Sequence, residues 1–185
     1  NKVLPLDNRP FSELVFGRES TVPPRQHYRY WPGRAPVPES VAVNVRARPH
    51  TVTAHVTVDS NHVGPVEGVL IQQGSVLGGW SFHLLAGGDG APSRLGYLHN
   101  LVGWRRYRVE AEVPPLAVGD HELSFVFDPP TLVLSVDGRE VGRGDVRRTV
   151  WSRFSLTGAG LTAGWSPDFS PADEDYRGRF EFSAT

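Results

Sequence analysis

Hydrophobic and polar positions along this chain alternate with a period of two far more often than with the period of a helix. The clearest case follows Pro49: Val52, Ala54, Val56 and Val58 fall on one side, and Thr51, Thr53, His55 and Thr57 on the other. Val41, Val43 and Val45 alternate with Ala42, Asn44 and Arg46 in the same way. Between Val66 and Trp104 lie three apolar runs closed by glycines, Val66 to Gln73, Gly79 to Leu85 and Leu95 to Val102. They predict an antiparallel meander, with Trp80, Phe82 and Leu84 inward and Ser81, His83 and Leu85 outward.

Further strands are expected at Arg106 to Val113, with Tyr107, Val109 and Ala111 on one face, and at His121 to Phe127, with Leu123, Phe125 and Phe127 on one face. Leu132 to Val136 and Arg139 to Gly142 flank Asp137-Gly138, the dipeptide of a two-residue type I′ hairpin. Val146 to Phe154, carrying Trp151, and Arg179 to Ala184 read as the last strands, and the aromatic run His27 to Trp31 as an early one. Helical spacing is interrupted by glycine or proline in every window, in keeping with 20 glycines and 16 prolines spread over 185 residues. About ten to fourteen strands exceed what one open sheet usually carries. The expected fold is therefore all-β: an antiparallel two-sheet β-sandwich of the jelly-roll, concanavalin A-like kind, with little or no helix.

Composition narrows the partners. The chain is 39% hydrophobic and 21% charged with a net charge of -1, which gives no basic field for nucleic acid. No apolar run approaches the roughly 20 residues of a membrane-spanning helix. The absence of cysteine removes disulfides and thiol chemistry and leaves the compartment open. Of the 19 basic residues only Lys2 is lysine, a genome-composition signature. Methionine is absent and the chain opens on Asn1, which points to a piece of a longer protein.

Candidate chemistry is sparse. Asp168, Asp173, Glu174 and Asp175 crowd one loop, whereas paired catalytic carboxylates face each other across a cleft roughly 5 to 10 Å wide. Calcium is the better fit to such a loop, with Asp168, Asp173 and Asp175 as candidate ligands beside the plainer reading of a solvated acidic loop. The histidines are scattered, and His55 and His83 fall on outward faces. His99 and Asn100 could offer polar groups to a groove, or Asn100 could bond its own turn. No G-x-S-x-G elbow or phosphate loop occurs.

Gly68 to Leu84, GVLIQQGSVLGGWSFHL, followed by Tyr97 to Gly103, YLHNLVG, resembles the C-terminal region of bacterial arylsulfatases. Val3 to Arg9, Tyr30 to Ser40, Leu132 to Gly144, Ser170 to Tyr176 and the closing FEF extend that resemblance in the same order. It implies that residues 1–24 are a linker following a catalytic domain of the same chain, and residues 25–185 a β-sandwich without activity of its own. Calcium and a formylglycine are expected in the parent's catalytic domain, not here. Gly90-Ala91-Pro92-Ser93-Arg94 imitates the family's C/S-x-P-S-R motif, yet glycine stands where the nucleophile precursor belongs. The alternative is an independent carbohydrate-binding module, with Tyr28, Tyr30, Trp104 and Trp165 as an aromatic platform.

Overall fold

Two antiparallel sheets form where the alternation predicts them in the computed structural model, which describes residues 25–88, 91–150, 153, 154, 157, 159–176 and 178–184. The first contains β1 (His50–Val58), β6 (Gly119–Asp128), β7 (Thr131–Val136) and β8 (Arg139–Asp145), in the order β1-β6-β7-β8. The second contains β2 (Gly68–Ser75), β3 (Gly78–Leu85), β4 (Ser93–Leu101), β5 (Arg105–Val113) and β9 (Leu161–Ala163), in the order β5-β4-β3-β2-β9. A short ribbon, β10 (Trp165–Ser166) with β11 (Phe180–Glu181), completes eleven strands, and no helix occurs among the described residues. Asp137 and Gly138 both have positive φ, 49° and 75°, as the type I′ hairpin requires.

The inward faces meet in one apolar core. Trp80, Phe82, Leu84, Leu95, Tyr97 and Val109 come from the five-stranded sheet, and Val56, Leu123, Phe125, Phe127, Leu132 and Leu134 from the four-stranded one. Phe125 lies at the centre, with ring centroids of Tyr97, Phe82, His50 and Trp80 at 4.8, 5.2, 5.5 and 6.0 Å. Gly144 lets the sheets converge at one edge, because a Cβ there would stand 2.8 Å from Val109.

The outward face of the five-stranded sheet departs from expectation. It is covered by a strap, residues 166–176 and 178–184, that runs across β2, β3, β4 and β5. Val69, Leu98, Ala172 and Tyr176 form a second small core there, so every residue of β2 is buried. His83, expected on the surface, is 1% exposed beneath the strap, and Gly96 opposite it leaves the imidazole room. Arg106 bonds Glu174 at 2.5 Å and Asp173 at 3.0 Å, while Arg108 bonds Glu174 at 3.0 Å and also pairs with Asp175. The acidic loop is thus clamped to β5 by two arginines, with Asp168 and Glu174 still exposed.

Three expected strands do not form among the described residues. His27 to Trp31 stays outside the sheets because Pro32, Pro36 and Pro38 withhold donors; Val37 alone bridges β9, exchanging two 2.8 Å bonds with Leu161. Val41 to Arg46 follows a turn in which Val41 and Ala42 both donate to the Pro38 carbonyl. Val146, Val150 and Phe154 are buried without a ladder, the Phe154 N–H going to the Glu39 carboxylate at 2.8 Å. The last strand is shortened to Phe180–Glu181. Residues 1–24, Gly90 and Trp151 lie outside the described residues.

Candidate functional site

The segment Arg25 to Val37 folds along the β9 edge and builds a small cleft against it. The Val37–Leu161 bridge anchors its end. Tyr30 is fixed half-buried by the Val43 N–H, which donates to its hydroxyl at 2.9 Å; burial pushes that hydroxyl's pKa up. Gly164, at φ 75°, turns the chain from β9 to β10 so close to Pro32 that a Cβ would come within 2.5 Å of the proline ring. Next to it the Trp165 indole donates to the Arg34 carbonyl at 3.2 Å, and the Arg179 guanidinium lies 4.9 Å above the Trp165 ring.

The resulting cleft holds about 170 Å³, with Leu161 and Ala163 of β9 on one side and Arg29, Tyr30, Trp31 and Arg34 among its other walls. Trp31 is 62% exposed, and the Arg29 guanidinium stands 5.9 Å from its ring centroid. An exposed indole beside a half-buried tyrosine, the Arg29 guanidinium and the lining Arg34 offers a flat apolar surface rimmed by donors, the equipment of a small polar-ligand site rather than of a reaction centre.

The sequence candidates divide as follows. Tyr28, Tyr30 and Trp165 lie in or beside the segment that builds the cleft, and Tyr28 is half exposed. Trp104 does not join them: it precedes β5, and β5 and β9 are opposite edges of a five-stranded sheet, about 19 Å apart at ~4.8 Å per strand. His99 lies in the interior against Phe154, and burial brings its pKa down to about 4. Asn100 serves its own turn, accepting from Gly103 N–H at 2.8 Å and donating to the Val76 carbonyl at 2.9 Å. Neither faces a groove.

The carboxylates do not converge on an ion. Asp173 and Asp175 face Arg106 and Arg108, and Asp168 stands apart near Gly178. Among the described residues no group of three or more His, Asp or Glu side chains is placed to hold a metal. Arg106 and Arg108 pair with Asp173 Oδ1 and Asp175 Oδ1, two of the oxygens that a cation would need.

A serine, a histidine and an aspartate do meet under the strap. Ser81 Oγ lies 3.1 Å from His83 Nδ1, and His83 Nε2 lies 3.8 Å from Asp175 Oδ2. Ser81 is fully buried, and its hydroxyl also bonds the Tyr176 hydroxyl at 2.7 Å. From there the chain of bonds continues to Ser170 at 2.8 Å and Gln72 at 2.6 Å. Such a hydroxyl presents nothing to a substrate; the bonds among Ser81, Tyr176, Ser170 and Gln72 seat the strap, while His83 Nε2, Asp175 Oδ2 and Gln72 Nε2 are buried without a hydrogen-bond partner among the described residues.

Sequence reading missed Trp31, Arg29 and Arg34. The available signal was the run RYWPGR itself, in which prolines deny the aromatics a ladder and arginines bracket the exposed ring.

No protein-family model matches the sequence, and no curated protein matches it. Among solved structures, the chain is similar to the CBM40 of Ruminococcus gnavus IT-sialidase bound to alpha2,3 sialyllactose, with a TM-score of 0.49 and 11% identity over 74% of this chain and 71% of that one. The same module bound to alpha2,6 sialyllactose gives a TM-score of 0.47 at 11% identity, covering 74% and 72%. This likeness transfers neither ligand nor residue role to the present chain.

Proposed function

We propose that this chain is a non-catalytic carbohydrate-binding β-sandwich module that seats a sugar ring in the cleft around Trp31. The observation that carries the reading is the exposed Trp31 indole standing over a cleft walled by Tyr30, Arg29 and Arg34. A pyranose ring has one apolar face and a polar rim; an indole beside charged donors matches both. Titration against a glycan panel, sulfated members included, should give binding, and Trp31→Ala should weaken it by more than about tenfold, as truncation of a central aromatic anchor does. Because Trp31 is exposed, the variant should unfold at the wild-type temperature. No binding of any glycan at millimolar concentration would overturn the reading.

A second reading, the C-terminal domain of an arylsulfatase-like hydrolase packed on the catalytic domain of the same chain, is favoured by a different surface. At the tips of the β2–β3 and β4–β5 hairpins, Trp104 (69% exposed), Phe169 (74%), Val102 and Leu77 lie close together. Val102 and Phe169 also hold positive φ, 48° and 62°, a strained conformation for such residues. An apolar, strained patch suits burial against a larger domain. In this reading the isolated chain hydrolyses no aryl sulfate; measurable turnover by the chain alone would overturn it.

A further inference from the structure

We infer that the cleft around Trp31 selects an acidic sugar at the end of a glycan, stacking the pyranose on Trp31 and holding its carboxylate or sulfate between Arg29 and Arg34. The inference rests on the carbohydrate reading above and names the ligand class that the same cleft takes. Its first support is the charge left unanswered there. Arg29 and Arg34 both line the cleft, and neither stands within salt-bridge distance of a carboxylate among the described residues. Nearby, by contrast, Arg179 over the Trp165 ring is paired with Glu181 at 2.7 Å, and across the sheet Arg106 and Arg108 are paired with the strap. Two arginines that line one small cleft without a carboxylate partner among the described residues favour an oxyanion there.

The second support is chemical fit. A guanidinium presents its N–H donors in a planar fork that matches two oxygens of a carboxylate or sulfate, and such charge-assisted bonds are roughly twice as strong as neutral ones. Arg29 already lies near the indole face, at 5.9 Å from the Trp31 centroid, so a ring stacked beside it brings its anionic substituent within reach. A neutral sugar satisfies the indole and leaves both charges unanswered. The third support is size. About 170 Å³ accommodates about one ring rather than a run of them, so the recognised unit is a terminal residue.

The test uses three oligosaccharides with one neutral core: unmodified, capped by a carboxylated sugar, and capped by a sulfated sugar, each titrated at low and at physiological salt. At least one anionic cap should bind about tenfold tighter than the neutral core, with the advantage shrinking as salt rises; which cap does so distinguishes carboxylate from sulfate. In the double variant Arg29→Ala with Arg34→Ala the ratio of anionic-cap to neutral-core affinity should fall to about one, and the salt dependence should go with it. Arg139→Ala, on the β7–β8 hairpin of the other sheet, should change nothing. If all three ligands bind the wild type equally, or if the double variant keeps the preference, the acidic-sugar inference fails and the carbohydrate reading stands. If none of them binds, the acidic-sugar inference fails, and the carbohydrate reading fails with it only if the wider glycan panel gives no binding either.

Discussion

Phe125→Ala should cost about 3–5 kcal/mol of stability, the range for removing a fully buried aromatic ring. Phe125 has no exposed surface and is ringed by Tyr97, Phe82, His50 and Trp80 from β1, β3 and β4. Alanine would leave a void bounded by both sheets. The flanking strands pair in register on either side of the site, β6 with β1 and with β7, so the backbone cannot collapse into the gap. Edge-to-face contacts worth about 0.5–1.5 kcal/mol per aromatic pair disappear with the ring. The loss is read from the midpoint of urea unfolding. A change below about 1 kcal/mol would mean that the two sheets do not pack through this ring. Phe125→Leu, which keeps most of the volume, should recover more than half of the loss.

Acidification is the second large effect. Lowering the pH from 7 to 4.5 should remove about 2–3 kcal/mol for each of two buried imidazoles. Burial is the main cause in both, bringing the pKa of His83 and of His99 from 6.5 down to about 4. Around His83, Asp175 raises the value while Arg108 and Arg94 lower it; around His99, His50 lowers it. The folded-state values lie below the unfolded one, so between them the unfolded chain binds more protons. The stability from neutral imidazoles is therefore complete above about pH 6.5 and declines as the pH falls toward 4. His50, also lowered by burial, acts in the same direction. His121 acts in the opposite one: its bond to Asp137 raises its pKa, so its contribution is kept in acid and partly offsets the loss. Denaturant titrations at the two pH values measure the sum. Equal stability at both would show that the interior imidazoles are not held neutral.

What the sequence revealed and what it concealed follow from the reach of each signal. Alternation is local, and it placed Leu123, Phe125 and Phe127 inward and named the Asp137-Gly138 turn, because a strand's faces and a two-residue hairpin are decided by adjacent residues. It could not say what lies over a face. His83 stands on the outward side as its period requires, yet a partner 95 residues beyond Ser81 covers it. The acidic loop read as solvated or cation-binding because its counter-ions, Arg106 and Arg108, sit 66 to 68 residues earlier on another strand. The cleft was half legible: Tyr28, Tyr30 and Trp165 were candidates, while Trp31, Arg29 and Arg34 gained meaning only once Val37 was seen to bridge β9. Trp104 looked equivalent to the other aromatics because sequence carries no record of which sheet edge a residue occupies.

The strap also sets an order of events during synthesis. Its bonds reach back across 98 residues from Ser170 to Gln72 and 118 from Ser183 to the Pro65 carbonyl, among the longest closures in the fold. Until Tyr176 and its neighbours leave the ribosome, β2, β3 and β4 would show Val69, Leu98 and His83 to the cytosol or to whatever receives the nascent chain. Non-local closures of that length are slow relative to hairpins. A nascent chain that has emerged only as far as β9 would thus display a nearly complete sandwich with one sticky face, the species that chaperones would bind first.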